Sequence, residues 1–182
     1  RDNKKEVTND DILRTISESN ANRPVKMHSK SGIVVKGMTD LSVRFSKCCS
    51  PVPGDEIVGF VTRGRGISVH RTDCVNVMNL PDIDRERLID ADWQIPEEAG
   101  GFEKYMAEIM IYANNRHGLL ADISKALTEK NINIMSMNCR INKQDIATLQ
   151  MNFEISGRDE LIRVIDKIRG IESVIDIERT VG

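Results

Sequence analysis

Three cysteines and one histidine form the most distinctive chemical set in this chain of 182 residues. Cys48 and Cys49 are adjacent, twenty residues separate Cys49 from His70, and three residues separate His70 from Cys74. Three thiolates and one imidazole make a complete tetrahedral ligand set for a structural zinc ion. Because a complete set leaves no coordination position open for water, it argues against a zinc hydrolase.

The residues around the Cys-Cys pair bear on whether both thiols can face one ion. Successive side chains on a strand point to opposite faces, so adjacent ligands require a turn, and the run Ser-Pro-Val-Pro-Gly at 50–54 supplies rigid turn residues. Two other interpretations stay open: buried inert thiols, or a redox site with a lowered thiol pKa. A disulfide is less expected in a chain without an export signal. Cys139 is predicted to fill a core or an interface in the second domain.

Composition excludes several classes of protein. The chain has 26 Lys+Arg against 28 Asp+Glu, a net charge of −2, with 40% hydrophobic and 4% aromatic residues. These values predict one or two domains with aliphatic cores. No apolar run approaches the ~20 residues that span a bilayer, which excludes a membrane-spanning protein. The hydrophobic fraction is high enough for packed cores, which excludes collagen-like and wholly disordered proteins. We therefore expect a cytoplasmic location. Because the first residue is Arg1 and not Met, we expect a fragment of a longer protein.

Hydrophobic periodicity predicts a lead-in segment and a strand-rich first domain. Residues 8–20 have helical spacing within a lead-in at 1–24, and Pro24 ends that helix. The first domain is predicted at 25–95, with short antiparallel strands between Gly and Pro turns. The predicted strands are 32–36, 41–45, 56–61, 66–70 and 88–93.

The pattern changes after a polar, Gly-rich linker predicted at 96–103. Over 104–182 the periodicity predicts the order β-α-β-β-α-β, which is the ferredoxin-like split unit. The alternation slips in phase between Ile134 and Met135, which predicts a β-bulge. The predicted fold class is therefore α+β, with a strand-rich, zinc-finger-like domain followed by a ferredoxin-like domain.

Positive charge is concentrated in the first domain. Residues 26–71 contain eight basic and three acidic side chains, a plausible footprint for phosphate, although a solvated surface has the same composition. Because Phe45 and Phe60 are the only candidates for base stacking, contact with RNA phosphates and shape is favoured over base reading. The candidate RNA-binding residues are Arg44, Lys47, Arg63, Arg65 and Arg71.

The run 43–76, VRFSKCCSPVPGDEIVGFVTRGRGISVHRTDCVN, contains all four candidate ligands. It closely resembles the zinc-finger, or ribosome-intersubunit, region of long Rel/SpoT-type (p)ppGpp synthetases/hydrolases, the GTP pyrophosphokinase family. The part after the linker resembles the ACT domain that ends those proteins. The resemblance implies a C-terminal regulatory portion of a stringent-response enzyme, without catalytic domains. It also implies bound zinc and contact with ribosomal RNA and deacylated tRNA.

The same resemblance implies amino-acid binding at the loop between the first strand and first helix of the ACT domain, often across a dimer interface. A glycine and free N–H groups at a helix start suit a carboxylate, and the two leucines suit valine or isoleucine. His117 departs from many relatives, and an ordinary strand-to-helix turn is the alternative. The candidate residues are Asn115, Arg116, Gly118, Leu119 and Leu120, with Asn133 on the second strand.

These expectations give two functional hypotheses. In the first, ribosome contact and amino-acid sensing or homodimerisation bias the absent catalytic domains between synthesis and hydrolysis. In the alternative, the chain is the amino-acid-sensing ACT tail of a biosynthetic enzyme and its first domain is purely structural. The alternative predicts amino-acid binding without ribosome affinity.

Overall fold

The computed structural model describes residues 32–35, 42–64, 66–94 and 104–180. The predicted lead-in helix, the predicted linker and Arg65 lie outside these described residues. The described strands are β1 (Ile33–Val35), β2 (Val43–Phe45), β3 (Ile57–Thr62), β4 (Gly66–Arg71), β5 (Leu88–Trp93), β6 (Tyr105–Asn114), β7 (Asn133–Ile141), β8 (Ile146–Ile155) and β9 (Val174–Arg179). The described helices are α1 (Val75–Met78), α2 (Asp82–Arg85), α3 (Leu119–Thr128) and α4 (Arg158–Arg169).

The first sheet has the strand order β1-β5-β3-β4-β2. Its pairs are antiparallel except that β2 runs parallel to β4, with Val43 opposite Ile67. The prediction of an all-antiparallel domain is therefore wrong at this edge. Parallel strands end at the same side of a sheet, so the residues that follow β2 come close to the end of β4.

Gly66 allows β2 and β4 to begin side by side. Its φ is +89°, and a Cβ atom there would lie 2.1 Å from the carbonyl oxygen of Ser42. The next residue, Ile67, donates its N–H to that same oxygen at 2.8 Å. Only glycine combines this backbone conformation with so close an approach.

The second sheet has the order β7-β8-β6-β9, and all its pairs are antiparallel. With α3 and α4 it forms the predicted ferredoxin-like unit, so the predicted α+β fold class is confirmed. The register of β7 against β8 shifts between Ile134 and Ser136, which confirms the predicted bulge. No helix within the described ranges is both long and apolar enough to cross a membrane.

The loop that follows β2 joins the two sheets. Val52 is fully buried in the core of the second sheet and its helices. Asp55 pairs with Arg179 through two 2.8 Å contacts, and the N–H of Arg158 donates to the carbonyl of Pro53 at 2.7 Å. We call these contacts of residues 50–55 with the second domain the junction.

Candidate metal centre

Cys48, Cys49, His70 and Cys74 converge at the edge of the first sheet. Their ligand atoms all lie within 4.8 Å of one another, so the set could hold a metal ion. The Nδ1 atom of His70 lies 3.4 Å from the sulfur of Cys48 and 3.9 Å from that of Cys49. The sulfurs of Cys48 and Cys74 are 3.5 Å apart. We call these four residues the Cys/His cluster.

Two local features bring the adjacent cysteines together. The parallel pairing of β2 with β4 places the end of β2 beside His70. The chain then turns tightly, since Ser50 has a φ of +43° and donates its N–H to the carbonyl of Ser46 at 3.0 Å. The turn overcomes the opposed orientation that two neighbouring side chains have on a strand.

Hydroxyl groups orient the imidazole. Its Nε2 atom lies 3.1 Å from the hydroxyl of Ser46, which also lies 3.3 Å from the sulfur of Cys48, and 3.3 Å from the hydroxyl of Ser68. This leaves Nδ1 to ligate a metal, with Nε2 fixed by an outer hydrogen bond, as is typical of ligating histidines. Nothing in the sequence pattern distinguishes these two serines from ordinary strand residues.

Burial determines most of the electrostatics of the cluster. It raises the pKa of the Cys49 and Cys74 thiols and lowers the pKa of His70, which favours a neutral imidazole. Burial also acts to raise the pKa of Cys48, but hydrogen bonds from Ser46 and neighbouring groups outweigh it and the net pKa is lowered. A metal ion would displace the thiol protons on binding.

The geometry favours a closed structural site over a reactive thiol pair. Cys49 and Cys74 are 1% and 0% exposed, and the N–H of Arg71 donates to the sulfur of Cys49 at 3.3 Å. Redox-active cysteines are exposed and have a lowered pKa, and of these three thiols only Cys48 has a lowered value. Cys139 lies on β7, partly buried against the second core and away from the cluster.

The candidate RNA-binding residues do not all share one surface. Arg44, Lys47 and Arg63 are exposed along β2 and the β3–β4 turn, and no ion pair among the described residues engages them. We call these three residues the basic edge. Arg71 departs from the expectation of a surface cation, because its side chain is buried between Asp73 and the carbonyl of Thr180.

Phe45 and Phe60, the two candidates for stacking on RNA bases, both contact other side chains of this chain. The guanidinium of Arg87 lies 4.4 Å from the ring centroid of Phe60. Phe45 stacks on Trp93 at 5.6 Å, and Tyr105 from the second sheet meets both rings edge-on at 5.7 Å. This aromatic cluster packs the first domain against the second.

The candidate amino-acid-binding residues lie in separate places within one copy of the chain. Gly118, with a φ of +80°, begins α3, Leu119 is buried in the core and Leu120 is exposed. Arg116 bonds Asp122 at 2.6 Å and Ser173 at 3.1 Å, while Asn115 bonds Asp145 at 2.9 Å.

Asn133 lies far from that loop in the same copy. It bonds Glu154, and Glu154 pairs with Met106 near the start of β6. The loop follows Asn114 at the other end of β6, about 26 Å away at strand spacing. A ligand that contacts both places would therefore need a second copy of the chain.

The two sheets define a two-domain protein, in which a strand-rich module whose Cys/His cluster could hold a metal ion precedes a ferredoxin-like module. Residues 33–94 match the model of the RelA/SpoT RIS domain, and residues 102–179 match the model of an ACT domain. The chain therefore belongs to the RelA/SpoT family and carries the RIS and ACT regulatory domains of RelA/SpoT-type GTP pyrophosphokinases.

Individual relatives agree with this assignment. The chain is 38% identical over 157 residues to a GTP pyrophosphokinase of Streptomyces coelicolor, covering 86% of this chain and 18% of that protein. It is 41% identical over 151 residues to a GTP pyrophosphokinase of Escherichia coli K12, covering 82% and 20%. Identity is 37% over 148 residues with the bifunctional (p)ppGpp synthase/hydrolase RelA of Mycobacterium tuberculosis, covering 81% and 19%. The chain thus spans about a fifth of the length of these relatives.

Proposed function

We propose that this chain is a non-catalytic regulatory portion of a cytoplasmic (p)ppGpp synthetase/hydrolase of the stringent response. Its first domain holds zinc and contacts ribosomal RNA and deacylated tRNA. The observation that carries this proposal is the position of the basic edge, because the chain leads directly from Arg44 on β2 through Lys47 in the following turn into the Cys/His cluster. A bound ion would fix the end of β2 and the turn that presents Lys47.

Zinc is the metal that suits this donor set best. Three sulfurs with one imidazole are the ligands of closed tetrahedral zinc sites, whereas hard cations such as Mg²⁺ and Ca²⁺ prefer oxygen. The cluster offers three thiols and Nδ1 of His70, and the thiols of Cys49 and Cys74 are buried. We expect one zinc per chain by metal analysis, and a metal-free protein with the same fold would contradict the assignment.

The ribosome contact is tested in a full-length enzyme that carries this chain. We expect the double change Arg63→Glu and Arg65→Glu to weaken co-sedimentation with ribosomes and to reduce its salt dependence, because phosphate contacts are lost. The matched control is Arg163→Glu with Arg169→Glu, which reverses the same charge on exposed positions of α4. Equal sedimentation of both double variants and the unmodified enzyme would contradict the proposed contact.

We propose that the second domain forms a homodimer through β7. This strand lies at the edge of its sheet and exposes Met135, Met137 and Ile141, with Leu120 of α3 also exposed. Unpaired edge strands with apolar side chains are templates for pairing with another chain. An antiparallel β7–β7 contact would bring Asn133 of one copy towards the loop at Asn115 of the other copy.

The dimer and the ligand are tested together. We expect Met137→Lys to give a monomer by sedimentation equilibrium and to abolish any heat of valine or isoleucine binding. Ile175→Lys on β9 is the control, since Ile175 is 57% exposed at the opposite edge of the sheet. A monomeric unmodified chain would contradict the dimer, and a dimer without heat or thermal shift would contradict amino-acid sensing.

A further inference from the structure

A cavity of about 290 Å³ opens between the two domains, beside the Cys/His cluster. One wall comes from the end of β2 and from the turn at residues 46–50, which we call the cysteine turn, and the other wall comes from the start of β6. Its lining includes Phe45, Ser46, Lys47, Lys104 and Tyr105. Neither the metal centre nor the amino-acid loop accounts for this cavity.

The lining has the chemistry of a site for a flat anion. Lys47 and Lys104 stand on opposite domains and are both exposed, and none of the lining residues is acidic. The rings of Phe45 and Tyr105 form an aromatic wall of the cavity, and serine hydroxyls provide hydrogen-bonding groups. Ammonium groups bind phosphate as point charges, and aromatic side chains bind unstacked bases.

The size and the surroundings narrow the ligand further. Ligand cavities start at about 300 Å³, so this one suits a single nucleotide unit and not a duplex. Lys47 belongs both to the cavity and to the basic edge, so a strand whose phosphates follow Arg44 and Lys47 would pass the opening. Proteins that recognise single-stranded RNA commonly extrude one base in this way.

We propose that this cavity binds one ribonucleotide unit, with its base against the Phe45 and Tyr105 wall and its phosphate between Lys47 and Lys104. This proposal rests on the proposed RNA contact of the first domain and adds the second domain to it. The hydroxyl of Ser46 lies 3.3 Å from the sulfur of Cys48, so the floor of the cavity is continuous with the Cys/His cluster. A loaded metal site would therefore set the shape of the cavity.

Trp93 provides the reporter, because it is the only tryptophan in the chain and contacts both aromatic lining residues. The zinc-loaded chain is titrated with pentauridylate, uridine monophosphate, uridine and inorganic phosphate while Trp93 fluorescence is recorded. We expect pentauridylate to change the fluorescence. In Lys47→Ala with Lys104→Ala we expect the Kd of pentauridylate to rise about tenfold, and the log–log salt slope of its binding to shrink by about 0.7, because these two lysines neutralise one single-strand phosphate.

The matched control is Lys130→Ala with Lys143→Ala, which removes two exposed lysines from the second domain away from the cavity. A response to uridine monophosphate equal to that of pentauridylate supports the site and identifies a free nucleotide as its ligand, whereas a response to pentauridylate alone identifies RNA. The proposal is overturned if Trp93 does not respond, if phosphate alone gives the full response, or if both double variants bind equally. If the cavity proposal fails in one of these ways while Arg63→Glu with Arg65→Glu still weakens ribosome co-sedimentation, only the cavity assignment has failed.

Discussion

The two domains are held together by different kinds of interaction. The buried apolar core of the first consists of Ile33, Val35, Ile67, Val69 and Ala91. The core of the second is far larger and includes Ile109, Ile111, Leu127, Leu149, Met151, Phe153, Leu161 and Ile168, all at most 1% exposed. A sheet with so few buried side chains requires another source of stability, and small domains obtain it from metals or disulfides.

We expect the first domain to obtain that stability from a metal bound at the Cys/His cluster, in addition to its contacts at the junction. Val52, which follows the cysteine turn, is buried in the core of the second domain and not in its own. Asp55 receives the N–H of Val52 at 2.9 Å and the guanidinium of Arg179, while its carbonyl accepts the indole N–H of Trp93 at 3.0 Å. The second domain therefore stabilises the first, whereas its own core is nearly self-contained.

The largest effect should follow removal of the proposed zinc. Structural zinc contributes on the order of 10 kcal/mol to small metal-dependent domains, more than a core of this size supplies. We expect a chelator to abolish hydrogen-exchange protection in β2–β5 and to shift Trp93 emission to the red, while β6–β9 remain protected. Cys74→Ser should reproduce this pattern, and Cys139→Ser should not. Protection retained in β2–β5 after complete metal removal would contradict the claim that the first domain, unlike the second, depends on a metal for its stability.

Truncating the core of the second domain should destabilise that domain next most strongly. Phe153 is fully buried between the sheet and its helices. Phe153→Ala should lower the free energy of unfolding of the second domain by about 3–5 kcal/mol, since it leaves a cavity. We expect zinc stoichiometry to be unchanged. Ile175→Ala, at an exposed position, should change stability by no more than about 0.5 kcal/mol. Loss of zinc in Phe153→Ala would show that the cluster depends on the second core.

Breaking the junction should separate the two unfolding transitions. Asp55 is 5% exposed at its side chain and Arg179 is 15% exposed. Arg179→Met leaves a buried carboxylate without its main partner, which should cost about 3 kcal/mol. Calorimetry should show the first domain melting earlier, with the second domain little changed. Asp55→Asn combined with Arg179→Met should recover part of the loss, and strictly additive losses would show that the pair is not coupled.

Sequence patterns predicted those parts of the molecule whose signal is local. The period of 3.6 residues gave helix 158–169 with the bounds that the structure has, and the slip at Met135 marked the bulge. The convergence of the Cys/His cluster followed from ligand types and a proline-rich turn. By contrast, α1 and α2 span four residues each, too few to show a period.

Features that join distant parts of the chain had no such signal. The parallel direction of β2 cannot be read from three residues, because alternation is the same for both directions. Asp55 and Arg179 are 124 positions apart, and Arg71 resembles any other cation near the cysteines until the carbonyl of Thr180 is seen beside it. The lead-in helix and the linker lie outside the described residues and stay predictions.

The smallest effect concerns Glu160, which lies in the helix turn that meets the junction. Burial acts to raise its pKa, but hydrogen bonds from the N–H and hydroxyl of Ser156 at 2.6 and 2.7 Å outweigh it and the pKa is lowered. A lowered pKa stabilises the folded state above the unfolded value of about 4.3 and loses that contribution as pH falls through the folded value.

Glu160→Gln should therefore cost about 1 kcal/mol or less at neutral pH, as for other helix-cap substitutions, and nothing in acid. Asp159→Asn is the matched control, because it removes a carboxylate from the same turn without breaking the Ser156 contacts. Urea unfolding of the two variants at several pH values would measure the contribution of the Ser156–Glu160 contacts, the cap of α4, to the free energy of unfolding. Because the cap lies wholly within the second domain, its loss should leave hydrogen exchange in β2–β5 unchanged. A change there would mean that the start of α4, where Arg158 meets Pro53, and not the Asp55–Arg179 pair alone, transmits stability between the domains.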